Sequence, residues 1–146
     1  MVARASEIVV GQNVPMTTFP DSHQDFLDFS IAVLSTVGGD GFPQSTLLWF
    51  IHDEGEIKLS LNDSRLKTKN LLKRPQVSLL IPDFNNPMRY LEIRGTAIAT
   101  PDEGGALAGK VGAKYGADLS VHDGPGDTRL AITLQPENIY AVDMSR

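Results

Sequence analysis

"STLLWFIHDEGEIKLSLNDSRLKTKNLLKRPQVSLLIPD", residues 45–83, decides how this chain folds. It opens on a nearly continuous apolar run, STLLWFIHD (45–53), which reads as one strand covered on both faces. Glu54-Gly55 signals a tight turn, and in EIKLSLN (56–62) Ile57, Leu59 and Leu61 alternate with Lys58 and Ser60, the period of a half-buried strand. Then SRLKTKNLLKRP (64–75) carries five positive charges and no acid. Asn62, Asp63 and Ser64 are good helix caps and Pro75 stops a helix, so this stretch predicts a short helix before the next strand, QVSLLIPD (76–83). Such short connections favour antiparallel pairing.

The flanks extend the pattern. FPDSHQDFLDFS (19–30) predicts a short helix capped by Asp21 or Ser22, with Phe26, Leu27 and Phe29 as apolar contacts. IAVLSTV (31–37) is a strand that stops at GGDG. RYLEIRGTAIAT (89–100) places Leu91, Ile93, Ala97 and Ala99 on one face and Tyr90, Glu92, Arg94, Thr96 and Ile98 on the other. PDEGGALAGKVGAKYG (101–116) starts as helices do, but its five glycines weaken it. VHDGPGD (121–127) is a loop, and RLAITLQPENIYAVDM (129–144) supplies one or two closing strands. The expectation is a mainly β, antiparallel barrel, partly or fully closed, with short flanking helices. It forms a single domain over residues 1–146.

Composition narrows the function. Zero cysteines exclude disulfides and thiolate catalysis and fit a reducing cytoplasm. No apolar run has the length of a membrane span, and MVARASEIVVGQNVP (1–15) lacks the apolar core of a signal peptide, so a soluble cytoplasmic protein is expected. A net charge of -5 argues against nucleic acid as a partner. Six of the thirteen Lys and Arg nevertheless fall between Lys58 and Arg74, and a local cluster suits a small anion. His23, His52 and His122 share no ligand spacing and read as surface or rim residues, so no metal site is expected. No nucleophile elbow, Walker loop or distinguished carboxylate pair is present, and no catalytic side chain is named. Trp49, in its apolar strand, reads as a core or interface aromatic.

The basic stretch has two readings. On one regular helix over 64–74, Arg65 and Lys67 stand roughly 200° apart and cannot grip one anion; Thr68, Leu71 and Leu72 then share the apolar face. If residues 62–67 make the strand-to-helix turn and the helix starts near Thr68, Arg65 and Lys67 converge with backbone N–H groups, as in phosphate sites. Spacing alone leaves open both a solvated basic face and an anion site.

Residues 31–100 resemble the split-barrel flavoproteins of the pyridoxine/pyridoxamine 5'-phosphate oxidase superfamily. The resemblance rests on Gly41-x-Pro43 before a long strand, the hairpin, Ser64-Arg65-x-Lys67, Asn70-Leu71, Pro75 opening the next strand, and Glu92-x-x-Gly95. Within it, SRLKTKNLLKRP is most similar to the branch that uses the deazaflavin coenzyme F420. The oxidases proper carry adjacent Arg and Lys here, whereas Leu66 separates Arg65 from Lys67. Where they carry two further basic residues, this chain has Thr46 and Ile51. The resemblance implies a homodimer with F420, or alternatively FMN, in a groove between subunits. Thr46 and Leu47 would offer backbone groups to the ring. Ser60, Leu61 and Asn62 would lie near the ring or its ribityl chain. Arg65 and Lys67 would hold the phosphate with Lys69 as helper; Tyr90 reads first as packing on the outward barrel face and second as a wall of the site. It implies an oxidoreductase that transfers hydride to a small conjugated substrate; the alternative is a non-catalytic flavin- or F420-binding carrier.

Overall fold

The computed structural model describes residues 19–145. The stretch read for a signal peptide lies outside them. A 3₁₀ turn over Asp21–Asp28 leads into β1 (Ala32–Val37), β2 (Pro43–Leu48), β3 (Ile51–Asp53), β4 (Glu56–Asn62), α1 (Leu66–Lys73), β5 (Gln76–Pro82) and β6 (Arg89–Pro101). A 3₁₀ turn (Glu103–Gly105), α2 (Ala106–Tyr115), another 3₁₀ turn (Leu119–His122) and β7 (Arg129–Asp143) complete the order. All seven strands form one sheet, ordered β2-β1-β5-β6-β7-β4-β3, and every pairing is antiparallel. The fold class is therefore the expected half-open barrel.

The largest departure from the sequence reading is in STLLWFIHD. It is not one strand but β2 and β3, which lie at opposite edges of the sheet. The chain turns a corner at Trp49-Phe50 and so bridges the two edges of the curled sheet. Phe50 is 0% exposed at that corner, where its backbone has no ladder partner. The end of α2 supplies the missing partners. Tyr115 Oη accepts from Phe50 N (3.1 Å), and its proton is shared between Ser30 O (2.7 Å) and Phe50 O (2.9 Å). Lys114 Nζ donates to Phe50 O (2.9 Å) and Phe29 O (2.7 Å) and stands 4.0 Å above the Phe50 ring. Burial pushes the Lys114 pKa down, with a small opposing pull from Asp28. Both groups answer the demand that buried backbone be hydrogen-bonded.

The β3–β4 hairpin turns on Glu54 (φ 54°) and Gly55 (φ 78°), the paired positive angles of a type I′ turn. Ile57, Leu59 and Leu61 face the core with Leu34, Leu79, Ile81, Leu91, Ile93, Ile132, Leu134 and Ile139. β6 and β7 pair along their length with one irregularity at Arg94/Gly95. A Cβ at Gly95 would lie 2.0 Å from Gln135 O, so only glycine lets the two backbones approach there. The second helix begins later than expected because Pro101 still belongs to β6 and Gly104 and Gly105 adopt φ of 66° and 68°. Asp102 then caps it, its carboxylate accepting from Leu107 N and Ala108 N. Residues 129–144 give a single closing strand.

Other local expectations are revised. The expected short helix is a 3₁₀ helix, and Pro20, not Asp21 or Ser22, stands at its cap. His23 is 2% exposed, not on the surface: its Nε2 donates to Val142 O (3.0 Å), Nδ1 accepts from Ser22 Oγ (2.8 Å), and the ring stacks on Phe26. No helix among the described residues is long and apolar enough to cross a membrane.

Candidate functional site

Helix α1 begins at Leu66, with Arg65 as its cap residue, two residues earlier than the start near Thr68 read from the sequence. Its buried face is Thr68, Asn70 and Leu71, while Leu72 is 52% exposed instead of sharing that face. Asn70 Nδ2 pins the helix to the sheet by donating to Thr36 Oγ1 (3.1 Å) and Gln44 Oε1 (3.2 Å). The first-turn N–H groups of α1 have no carbonyl ahead of them within the helix, which leaves its start partially positive.

A cavity of about 360 Å³ opens beside that end. Its polar lining residues are Ser60 and Asn62 from β4, Arg65 and Lys67 from the start of α1, and His122 and Arg129 from the last loop and strand. Its apolar ones are Leu47 and Leu48 from the end of β2, Trp49 at the corner, Leu61, Val111 of α2 and Leu119. Trp49 is held by Tyr115, whose ring lies parallel to it at 4.3 Å. Of the residues expected to bind a cofactor, Leu47, Ser60, Leu61, Asn62, Arg65 and Lys67 line this one cavity. Thr46 and Lys69 do not: Thr46 is half-buried in β2 and Lys69 is exposed on α1. Tyr90 lies away from it, in a shallow groove on the outer face of the sheet with Val33, Ser35 and Leu80.

The three cations of the cavity differ in kind. Arg129 is engaged: its guanidinium meets Asp123, Ser60 O, Ser60 Oγ (3.4 Å) and Leu119 O (3.0 Å). Arg65 and Lys67 make no ion pair among the described residues. Burial lowers the Lys67 pKa and the like charge of Arg65 lowers it further, so the pair lacks a counter-anion. The hydroxyls of Thr46 and Thr68 are buried without a partner among the described residues, and Thr68 is the neighbour of Lys67. Two unpaired cations at a helix start, lining one cavity with an aromatic ring, fit a ligand with a planar ring and an anionic tail. No group of His, Cys, Asp or Glu among the described residues could hold a metal.

Sequence reasoning did not single out Leu48, Trp49, Val111, Leu119, His122 and Arg129 as wall residues. Only the aromatic character of Trp49 signalled a role; Arg129 and His122 arrive from a loop whose path no local pattern gives.

The sheet order and the half-open barrel define a split-barrel protein. The chain belongs to the pyridoxamine 5'-phosphate oxidase family, whose model matches residues 19–143. Among solved structures it is similar to an F420 reductase, with 30% identity, 83% of this chain and 98% of that chain covered, and a TM-score of 0.72. A conserved hypothetical protein from Mycobacterium tuberculosis shares the fold at 21% identity and a TM-score of 0.73, covering 99% of this chain and 91% of that one. HutZ, a haem storage protein from Vibrio cholerae, shares it at 14% identity and a TM-score of 0.69, covering 88% and 99%.

Proposed function

We propose that this protein is an oxidoreductase that binds coenzyme F420, with FMN as the alternative, and reduces a small conjugated substrate. The observation that carries this reading is the unpaired Arg65–Lys67 couple at the start of α1, lining one cavity with Trp49. Arg65 offers a planar fork and Lys67 a point charge to one phosphate, each worth about 1.5–3 kcal/mol as a charge-assisted bond. Trp49, Leu47 and Leu61 give the ring an apolar bed and exclude water from its face. When bound, the cofactor supplies hydride transfer; the chain binds, orients and shields. F420 is preferred to FMN because Thr46 and Ile51 put no cation near the site and Arg129 is already committed to Asp123. The F420 reductase neighbour at 30% identity supports the same choice.

The site is proposed to be completed by a second copy of the chain. Leu47, Leu66 and Val121 are 68%, 58% and 72% exposed, and each lies in or next in sequence to the cavity lining. Apolar side chains gathered at a mouth call for a cover, and two-fold pairing is the commonest way to provide one. The direct test is steady-state reduction of enones and quinones by the purified protein with reduced F420 or FMN, alongside sedimentation with and without cofactor. Turnover by a dimer is expected. Tight binding with no turnover on any substrate would favour the carrier alternative, and a monomer in both states would remove the shared site.

A further inference from the structure

Asp123 lies outside the cavity lining, yet it is tied to the part of the chain that presents Arg65. The link runs through Asn62. Asn62 is 2% exposed, and both ends of its carboxamide are used inside the protein. Its Nδ2 donates to Asp123 Oδ1 (3.1 Å) and to His122 O (3.4 Å). Its Oδ1 accepts from Ser64 N (3.2 Å) and Ser64 Oγ (2.8 Å), and its carbonyl accepts from Arg65 N (3.5 Å). The Asn62 carboxamide therefore has no donor or acceptor left for a ligand.

We propose that Asp123 is a positioning residue for the anion site, acting through Asn62, an inference that rests on the proposed role of Arg65 and Lys67. The physical reason is that a carboxamide has two nearly isosteric orientations. A carboxylate only accepts, so Asp123 forces Nδ2 toward itself and Oδ1 toward the Ser64 turn. The reverse orientation would set an NH2 group against the N–H of Ser64 and open the turn that fixes Arg65. Asp123 also occupies Arg129. With Asp123, Ser60 and Leu119 O as acceptors, every N–H of that guanidinium already has a partner within the protein. The neighbouring backbone repeats the tie, Asp63 N donating to Thr128 O (2.9 Å) and Thr128 N to Asp63 Oδ1 (2.9 Å). The backbone that carries the cation pair is thus fixed before any ligand arrives, which lowers the ordering cost of binding.

The experiment is a double-mutant cycle on affinity for F420 and FMN, read by quenching of the single tryptophan. Asp123→Ala and Asn62→Ala should each weaken binding about tenfold, the scale of outer-shell losses, and the double variant should be no weaker than either. Additive losses would mean that the residues act separately and would overturn the proposal. Tighter binding in Asp123→Ala would show a purely electrostatic effect of removing the carboxylate, and also overturns it. Unchanged affinity with a lower Tm would reduce both residues to a structural role. Should Asp123→Ala fail to fold, Asn62→Ala with Asp123→Asn decides: affinity lost in the first and kept within about threefold in the second supports the link through Asn62; affinity unchanged in the first overturns it. Arg65→Ala in the same titration separates the anion site from its clamp. No loss there discards the anion site itself, whereas a loss there without one in Asn62→Ala discards only the clamp.

Discussion

Replacing Tyr115 by Phe should destabilise the protein through the barrel corner alone. The substitution keeps the ring that stacks on Trp49 at 4.3 Å and removes only the hydroxyl. That hydroxyl is the acceptor for Phe50 N (3.1 Å) and a donor to Phe50 O (2.9 Å) or Ser30 O (2.7 Å). Phe50 O still has Lys114, but the N–H of a residue 0% exposed is left without a partner. An orphaned buried donor costs about 1–3 kcal/mol. For a chain of this size that is a drop in Tm of roughly 3–10 °C. Burial also pushes the Tyr115 pKa up, against a smaller opposing effect of the Phe50 backbone bond. The neutral phenol is therefore the favoured folded form. Its contribution is complete below the unfolded tyrosine range and lost as pH rises through the folded value. The gap between Tyr115→Phe and wild type should accordingly narrow above about pH 10. Urea denaturation at pH 7.5 and at pH 10.5, with thermal melts at both, measures this. A variant within about 0.5 kcal/mol of wild type at pH 7.5 would refute the claim that the hydroxyl satisfies the corner.

Gly95→Ala should cost about 3 kcal/mol, because its Cβ would sit 2.0 Å from Gln135 O and the β6–β7 ladder must spread; denaturant midpoints check it. Lys67→Met should raise the Tm of the ligand-free protein at pH 7 while weakening cofactor binding. The Lys67 pKa is lowered by burial and by Arg65, so the unfolded chain holds that proton more tightly; the gain should fade as pH rises toward the ordinary lysine range, which melts from pH 7 to pH 10.5 follow.

The strands were legible where a period of two was uninterrupted, as in Ile57, Leu59 and Leu61, whose alternation is the burial pattern of β4. Gly95 was legible as a motif, and its reason is the close approach at the bulge. The corner at Trp49-Phe50 was not legible, because an apolar run looks the same straight or bent. What bends it is Tyr115 and Lys114, more than sixty residues later in the chain. The cation pair could be named from composition and a resemblance, since an acid-free basic run is a local signal. Whether Arg65 and Lys67 share a cavity depends on where α1 starts, and that is set by Asn62 and its partners from the loop before β7. The difference between a free Arg65 and a committed Arg129 is likewise tertiary: both are arginines beside polar turns until Asp123 is placed.

The central claim is that Arg65 and Lys67 hold the phosphate of a flavin-type cofactor beside Trp49. Titrating wild type and the Arg65→Ala/Lys67→Ala double variant with F420, FMN and riboflavin, followed by quenching of Trp49, tests it most directly. Two charge-assisted bonds at about 1.5–3 kcal/mol each predict a loss of roughly two to four orders of magnitude in affinity for the phosphorylated cofactors, with F420 the tighter ligand of wild type and riboflavin much the weakest. Equal affinity of wild type for FMN and riboflavin, or a double variant that binds F420 and FMN as wild type does, would contradict it.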